Sequence, residues 1–224
     1  MPSQRSLCNF LTDTHVILRK AEVNLVWPSA VGTMGEVKTF LILLRGINVG
    51  GKNKVSMAEL KKCLEGLGFF DVSTFIVSGN VVLTSDRNAG EVAAKIETAL
   101  PKAFKLDSEL IRALVLTRDQ LRAVVDNRPK GFGDQPDKYH SDAIFLMGIE
   151  AAEAMPIFNP REGVDRVWPG NGVVYSERLS AQRTKSRLSS MMTSPLYKSM
   201  TIRSWSTTVK LLEVLNARGA HEEG

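Results

Sequence analysis

Short apolar runs separated by polar, glycine-rich turns recur along the chain after residue 34, and their spacing alternates between that of strands and that of helices. The run KTFLILL (38–44) predicts a buried strand because it is short and almost wholly apolar. Ser56, followed three residues later by Glu59, is typical of a capping box that opens a helix. The apolar stripe of this helix ends at Gly68.

The next segments, VSTFIV and VVLTS, flank the sequence Ser-Gly-Asn at 78–80. Gly79 and Asn80 both tolerate positive φ, so we predict a tight antiparallel hairpin. A helix ending near Pro101, a strand within 108–117 and a further helix follow. The predicted order of this half is β-α-β-β-α-β-α.

A glycine- and proline-rich connector (128–140) precedes a second series in the same order. We predict a strand at 141–148, a short helix, two strands joined by a Pro-Gly-Asn turn, a helix around 185–192, a strand and a terminal helix. Two tandem β-α-β-β-α-β units indicate an α+β fold with duplicated ferredoxin-like (α-β plait) subdomains and antiparallel sheets. The repeat lies in element order rather than in residue identity.

The predicted domain organisation follows from this pattern. Residues 1–33 are expected to be an N-terminal extension, either poorly ordered or the product of a misplaced start codon, although a weakly periodic stretch leaves an N-terminal helix as the alternative. The remaining predicted parts are a first ferredoxin-like subdomain (34–127), the connector (128–140), a second subdomain (141–219) and a tail (220–224).

Composition restricts the function classes. The 224 residues include 43% hydrophobic and 24% charged residues, which is ordinary globular usage. No apolar run approaches the roughly 20 residues of a membrane span, and 1–33 lacks the core of a secretory signal, so we expect a cytoplasmic protein with no membrane partner. Two cysteines and three scattered histidines predict neither a disulfide framework, a metal site nor a cofactor. The oligomeric state stays open.

The loop RGINVGGKNKV (45–55) is one residue short of the phosphate-binding pattern G-x-x-x-x-G-K-[ST]. Asn53 stands where a Ser or Thr would bind magnesium, and the helix cap, Ser56, comes several residues later. These differences and the predicted antiparallel sheet argue against a P-loop nucleoside triphosphatase. A basic loop around two glycines remains suited to an anion, and we expect a small phosphate-containing molecule or nucleotide. The candidate residues are Arg45, Asn48, Gly50, Gly51, Lys52, Asn53 and Lys54, with Ser78 and Asn80 of the hairpin turn.

Two alternatives to an anion site stay open. The segment 178–210 carries seven basic residues and no carboxylate, although the net charge of the chain is only +5. Its cations, hydroxyls and aromatic rings suit nucleic acid. The candidates there are Lys185, Arg187, Arg203 and Trp205. The other alternative is an interaction protein without a ligand, in which the loop only turns the chain and its lysines keep it solvated.

Catalytic motifs are missing from the sequence. It contains no G-x-S-x-G, no H-E-x-x-H and no cysteine placed with a histidine. His140 is better explained as a structural histidine than as a general base. We therefore predict no catalytic residue, and the question of an enzyme stays open.

Two separated motifs support a family resemblance. The stretch from FLILLRGINVGGKNKV to the SGN hairpin resembles the opening of the bacterial domain-of-unknown-function family 1697. TIRSWSTTVKLLEVL is similar to that family's terminal R-N-W-x-T-V-x-K-L motif, with Ser204 in place of Asn and with Trp205 retained. The resemblance covers Phe40 to Leu215 and leaves 1–33 unmatched. It implies a duplicated ferredoxin-like fold and no particular activity.

Overall fold

The computed structural model of the chain describes residues 36–107 and 111–222, with side chains up to Arg218. The predictions for residues 1–33 and for the last two residues of the tail therefore lie outside the described residues. No helix in the described ranges is long and apolar enough to cross a membrane.

The first half of the described chain forms a four-stranded antiparallel sheet in the order β2-β3-β1-β4. Its elements are β1 (Lys38–Arg45), α1 (Met57–Gly66), β2 (Phe70–Phe75), β3 (Asn80–Ser85), α2 (Ala89–Ala103), β4 (Arg112–Thr117) and α3 (Arg118–Asp126).

The second half forms another four-stranded antiparallel sheet, in the order β6-β7-β5-β8. Its strands and α-helices are β5 (Tyr139–Leu146), α4 (Ala151–Ala154), β6 (Asp165–Gly170), β7 (Val173–Leu179), β8 (Met200–Ser204) and α5 (Trp205–Glu222). Short 3₁₀ helices occupy Met155–Ile157, Ser180–Lys185, Leu188–Thr193 and Pro195–Ser199. A mixed α+β fold with two antiparallel sheets is thus confirmed.

Side-chain caps place the helix starts where the sequence predicts them. Ser56 accepts a hydrogen bond from the Glu59 N–H at the start of α1. At α3, Thr117 and Gln120 bond each other's backbone N–H groups in a full capping box. These bonds satisfy N–H groups that have no partner within the helix.

The predicted end of α2 near Pro101 is confirmed, and the predicted end of the terminal helix was wrong by a few residues. The α2 helix continues past Pro101 to Ala103, because a proline in the last turn removes only one helical hydrogen bond and Phe104 N–H still reaches Leu100 O. The terminal helix α5 runs to Glu222 rather than ending at 219.

Two predicted turns were also misplaced. In the second sheet, Pro169 and Gly170 pair within the ladder and the turn moves to 171–172. Proline is tolerated there because β6 is an edge strand. In the first hairpin, Ile76 and Gly79 carry the positive φ values, whereas Asn80 is extended and pairs with Phe75.

The predicted helix around 185–192 was wrong, because three 3₁₀ segments occupy 180–199. Serine and threonine hydroxyls bond nearby backbone groups throughout this stretch, as Ser186 does to the Leu188 N–H and Ser194 to the Leu196 N–H. Such local bonds compete with the α-helical ladder. The connector between the two halves, predicted at 128–140, is also shorter than predicted, since β5 begins at Tyr139.

Strand β1 is buried on both faces, which explains its uninterrupted apolar run. Phe40, Ile42 and Leu44 pack with α1 and α2 on one side. Leu41 and Leu43 point to a second core that contains residues of α3, α5 and the second sheet. Both sheets therefore share this second core, and the end of β1 comes close to β8.

Candidate functional site

The loop after β1 forms a narrow hairpin with its glycines at the tip. Lys52 N–H donates to Val49 O at 3.0 Å, and Gly50 and Gly51 have φ values of 58° and 79°. This left-handed pair is the conformation that glycine adopts most readily. The Lys52 and Lys54 side chains are exposed.

The two asparagines of the loop hold its backbone rather than face solvent. Asn48 bonds both the N–H and the C=O of Val55 and also donates to Val77 O. Asn53 is 5% exposed, and its amide donates to Gly46 O at 2.6 Å. Both residues have positive φ. Their side chains are therefore occupied within the protein, and direct contact with an anion would break these bonds.

Arg203 is a buried cation next to the loop. It lies on β8, is 6% exposed and reaches from the second sheet to the end of β1 and to the hairpin turn of the first. Its guanidinium makes five hydrogen bonds, which use all five of its N–H donors. The acceptors are Asn80 Oδ1, Thr201 Oγ1 and the carbonyls of Leu44, Ser78 and Ile202.

The charge of Arg203 is held by dipoles instead of a counter-ion. Among the described residues, no carboxylate comes within ion-pair distance of it. Burial lowers the pKa of Arg203 to about 10, so the side chain is still a cation at neutral pH. An unneutralised positive charge beneath a cavity attracts anions to it.

Arg45 brings a second cation to the same place. Its Nε donates to Met200 O at 3.0 Å, and its guanidinium carbon lies 5.2 Å from the centre of the Tyr197 ring. Partial burial lowers the pKa of Arg45, and the nearby charge of Arg112 lowers it further, while Tyr197 has the opposite effect. Arg45 likewise has no ion-pair partner among the described residues.

A cavity of about 380 Å³ lies between these elements. Its polar lining comprises Arg45, Asn48, Ser78, Thr201 and Arg203. Its other lining residues are Leu44, Gly46, Ile47, Val49, Tyr197, Met200 and Ile202. The cavity thus lies at the base of the glycine-rich loop, and the exposed lysines of the loop tip do not line it.

Gly79 lets the hairpin turn pack closely against the end of β1 and the start of the loop. Its φ is +73°, and a Cβ there would lie 2.9 Å from both Leu44 Cβ and Ile47 Cδ1. No side chain fits at that position without displacing the cavity wall. Asn80, next to it, is fully buried and donates to Phe75 O and Ser78 Oγ, so it supports the turn rather than presenting itself to a ligand.

The nucleic-acid candidates of the basic segment do not share one surface. Lys185 and Arg187 are exposed. Trp205 is 9% exposed and packs edge-on against Phe132 at 5.0 Å in the shared core, and Arg203 is buried as described above. Two of the four predicted contacts are therefore inside the protein: Arg203 bonds the end of β1 and the hairpin turn of the first sheet, and Trp205 packs against Phe132 of the connector.

His140 lies on β5 with its ring 3.1 Å from Asp142, and Arg178 approaches the same carboxylate at 3.6 Å. Burial raises the pKa of Asp142, although His140 and Arg178 oppose the shift. Among the described residues, no group of three or more His, Cys, Asp or Glu side chains could hold a metal ion.

A profile described as "Protein of unknown function (DUF1697)" matches residues 37–175. The chain belongs to the DUF1697 family. This match confirms the predicted membership and extends from β1 into β7, so the terminal motif of β8 and α5 lies beyond it. The cavity of this DUF1697 protein therefore combines residues inside the matched region, such as Arg45, with residues outside it, such as Arg203.

One solved structure similar to this DUF1697 protein is that of the conserved bacterial protein SP0830 from Streptococcus pneumoniae. The TM-score is 0.62 at 25% sequence identity, and the alignment covers 80% of this chain and 99% of that one. A search of curated proteins found no match.

Proposed function

We propose that the chain is a small-anion-binding module whose site is the cavity at the base of the loop 45–55. The ligand carries a phosphate or carboxylate group, as in a nucleotide or a phosphorylated metabolite. The observation that carries the proposal is the pair of arginines, Arg45 and Arg203, which line one cavity without a carboxylate partner among the described residues.

The proposal moves the predicted site from the loop tip to the loop base. Arg45 and Ser78 remain members of it, and Asn48 contributes to its wall. Asn53 and Asn80 act as supports, because their amides bond the surrounding backbone. Lys52 and Lys54 serve only to attract anions at long range.

We also infer that each sheet with its helices is a ferredoxin-like subdomain and that the second arose as a repeat of the first. The two strand orders support this, since each sheet places its third strand beside its first and its fourth on the other side of the first. The 3₁₀ segments of 180–199 then replace the second helix of the repeat. The cytoplasmic location remains a prediction.

Thermal unfolding with sodium phosphate, AMP and ATP tests the function, with sodium chloride at matched ionic strength as the reference. We expect at least one of the three anions to raise the melting temperature of the wild type, because a ligand that binds only the folded state stabilises it. Arg45→Ala should weaken binding by roughly 10- to 100-fold through the loss of a charged hydrogen-bond donor.

Lys52→Ala is the matched control, because it removes a cation of the same loop that does not line the cavity. Unchanged binding by Lys52→Ala and weakened binding by Arg45→Ala support the site at the loop base. Weakened binding by Lys52→Ala with unchanged binding by Arg45→Ala would instead place the site at the loop tip. No stabilisation by any of the three anions would contradict anion binding.

A further inference from the structure

We infer that the ligand of this cavity is a small organic anion, in which one carboxylate or phosphate group is joined to a compact apolar body. This inference rests on the proposed function and specifies its ligand class. Inorganic phosphate should bind more weakly than such a molecule, and extended polymers are excluded.

The accessible walls of the cavity are largely apolar. Val49 is 64% exposed at its rim, and the Tyr197 ring and Ile202 are partly exposed on the side formed by the second half of the chain. A bare phosphate ion would leave these walls in contact with water. A ligand with an apolar body would cover them and gain the free energy of removing apolar surface from water.

The size of the cavity points to a small molecule. Its volume of about 380 Å³ lies near the lower end of the range for small-molecule pockets, which is roughly 300–1,000 Å³. A pocket of this size holds one compact group and its anionic substituent. A nucleic-acid strand would instead need a groove along which successive phosphates bind.

The arginine donors of the cavity admit one anionic group. Every N–H of Arg203 is already bonded to the protein, so this residue supplies positive charge without a free donor. Arg45 uses only its Nε, for Met200 O, and among the described residues its two terminal amino groups have no hydrogen-bond partner. Such a planar pair of donors matches two oxygens of one carboxylate or phosphate.

Arg45 is thus the residue that contacts the anion, and Arg203 is a positioning residue. The Tyr197 ring beneath the Arg45 guanidinium and the bond to Met200 fix its orientation in advance. Arg203 ties the end of β1 and the hairpin turn to β8, and so keeps the two sides of the cavity together.

Affinity titrations by NMR with paired probes test this inference. The pairs are benzoate with acetate and phenyl phosphate with inorganic phosphate, and benzamide is the uncharged analogue of benzoate. We expect each aryl anion to bind with a Kd about tenfold or more below that of its small partner, because it buries additional apolar surface. Benzamide should not bind measurably.

Two variants test separately how the protein binds the apolar body and the anionic group of the ligand. Val49→Ser should bring the Kd of each aryl anion close to that of its small partner, since Val49 lies at the apolar rim. Arg45→Lys keeps the charge but loses the paired donors, so it should weaken all four anions. Neither residue is among the buried core residues, and we expect both variants to fold.

The outcomes distinguish this inference from the function on which it rests. Equal Kd values for aryl and small anions would overturn the apolar body while leaving the anion site intact. Benzamide binding as tightly as benzoate would overturn the anion site itself. If none of the four anions shifts the signals of the residues lining the cavity, both the inference and the proposed function are wrong.

Discussion

At the scale of single residues, Arg203 is the side chain on which the arrangement of the candidate site depends. Five hydrogen bonds compensate part of the cost of removing its charge from water, and burial still lowers its pKa to about 10. Three of the five acceptors are backbone carbonyls, belonging to Leu44, Ser78 and Ile202. The cation thus joins two sheets, and no carboxylate of the described ranges lies within ion-pair distance of it.

Replacing Arg203 with methionine should lower the free energy of unfolding by about 2–4 kcal/mol. Methionine has a similar length, but it removes the donors to the buried acceptors Asn80 Oδ1 and Leu44 O and to the part-buried carbonyls of Ser78 and Ile202. Urea denaturation measures the change. Arg183→Met in the exposed part of the basic segment is the control, and should change stability by no more than about 0.5 kcal/mol. If the two variants lowered the free energy of unfolding equally, Arg203 would not be the buried connection between the sheets that its hydrogen bonds indicate.

At the scale of elements, the glycine-rich loop is held by a reciprocal pair of bonds. Asn53 N–H donates to Asp107 Oδ2 at 2.7 Å, and Asp107 N–H donates to Asn53 Oδ1 at 2.6 Å. This clamp ties the loop to the segment between α2 and β4. The asparagine in the magnesium position of the phosphate-loop pattern therefore has a structural role in the loop.

Asn53→Gly should destabilise the protein by about 1–3 kcal/mol, because glycine keeps the positive φ but removes the side-chain bonds. We also expect faster hydrogen exchange of the amides in the loop 46–54, since the loop would open more often. Lys54→Ala, at the exposed neighbouring position, should leave both measurements unchanged. Exchange that stays slow in Asn53→Gly would show that the turn is stable without the clamp.

At the scale of the whole molecule, one aromatic cluster lies in the core that the two sheets share. Phe132 of the connector meets Trp168, Tyr175 and Trp205 edge-on, at ring separations of 5.0–6.0 Å. The hydroxyl of Tyr175 donates to Val124 O in α3, and burial raises the pKa of this tyrosine to about 12. Elements of both halves therefore depend on the same packing.

Phe132→Ala should cost about 3–5 kcal/mol, because it removes a ring that is 1% exposed and leaves a cavity. Since the core is shared, we expect the two sheets to unfold together, with coincident transitions by tryptophan fluorescence and far-ultraviolet circular dichroism. Phe70→Ala, on an edge strand where the ring is 58% exposed, is the control for loss of an aromatic side chain. Separate transitions would show that the halves are independently stable.

Local signals in the sequence were sufficient to predict most of the helices and strands. The apolar run of β1, the caps at Ser56 and Thr117 and the order of elements along each half all depend on neighbouring residues, so they are readable in advance. The family motif of the loop 45–55 was recognisable for the same reason. The helix predicted at 185–192 failed because its serine hydroxyls favour local turns, which apolar spacing does not register.

The location of the candidate site was decided by the tertiary structure. Arg45 and Arg203 are 158 positions apart in a sequence whose basic residues all look equally available to solvent. Packing of β1 and β8 buries Arg203 and half-buries Arg45. Lys52 and Lys54 stay exposed to solvent. Burial and hydrogen bonding at long sequence separation give these similar cations different roles, and no local pattern contains that information.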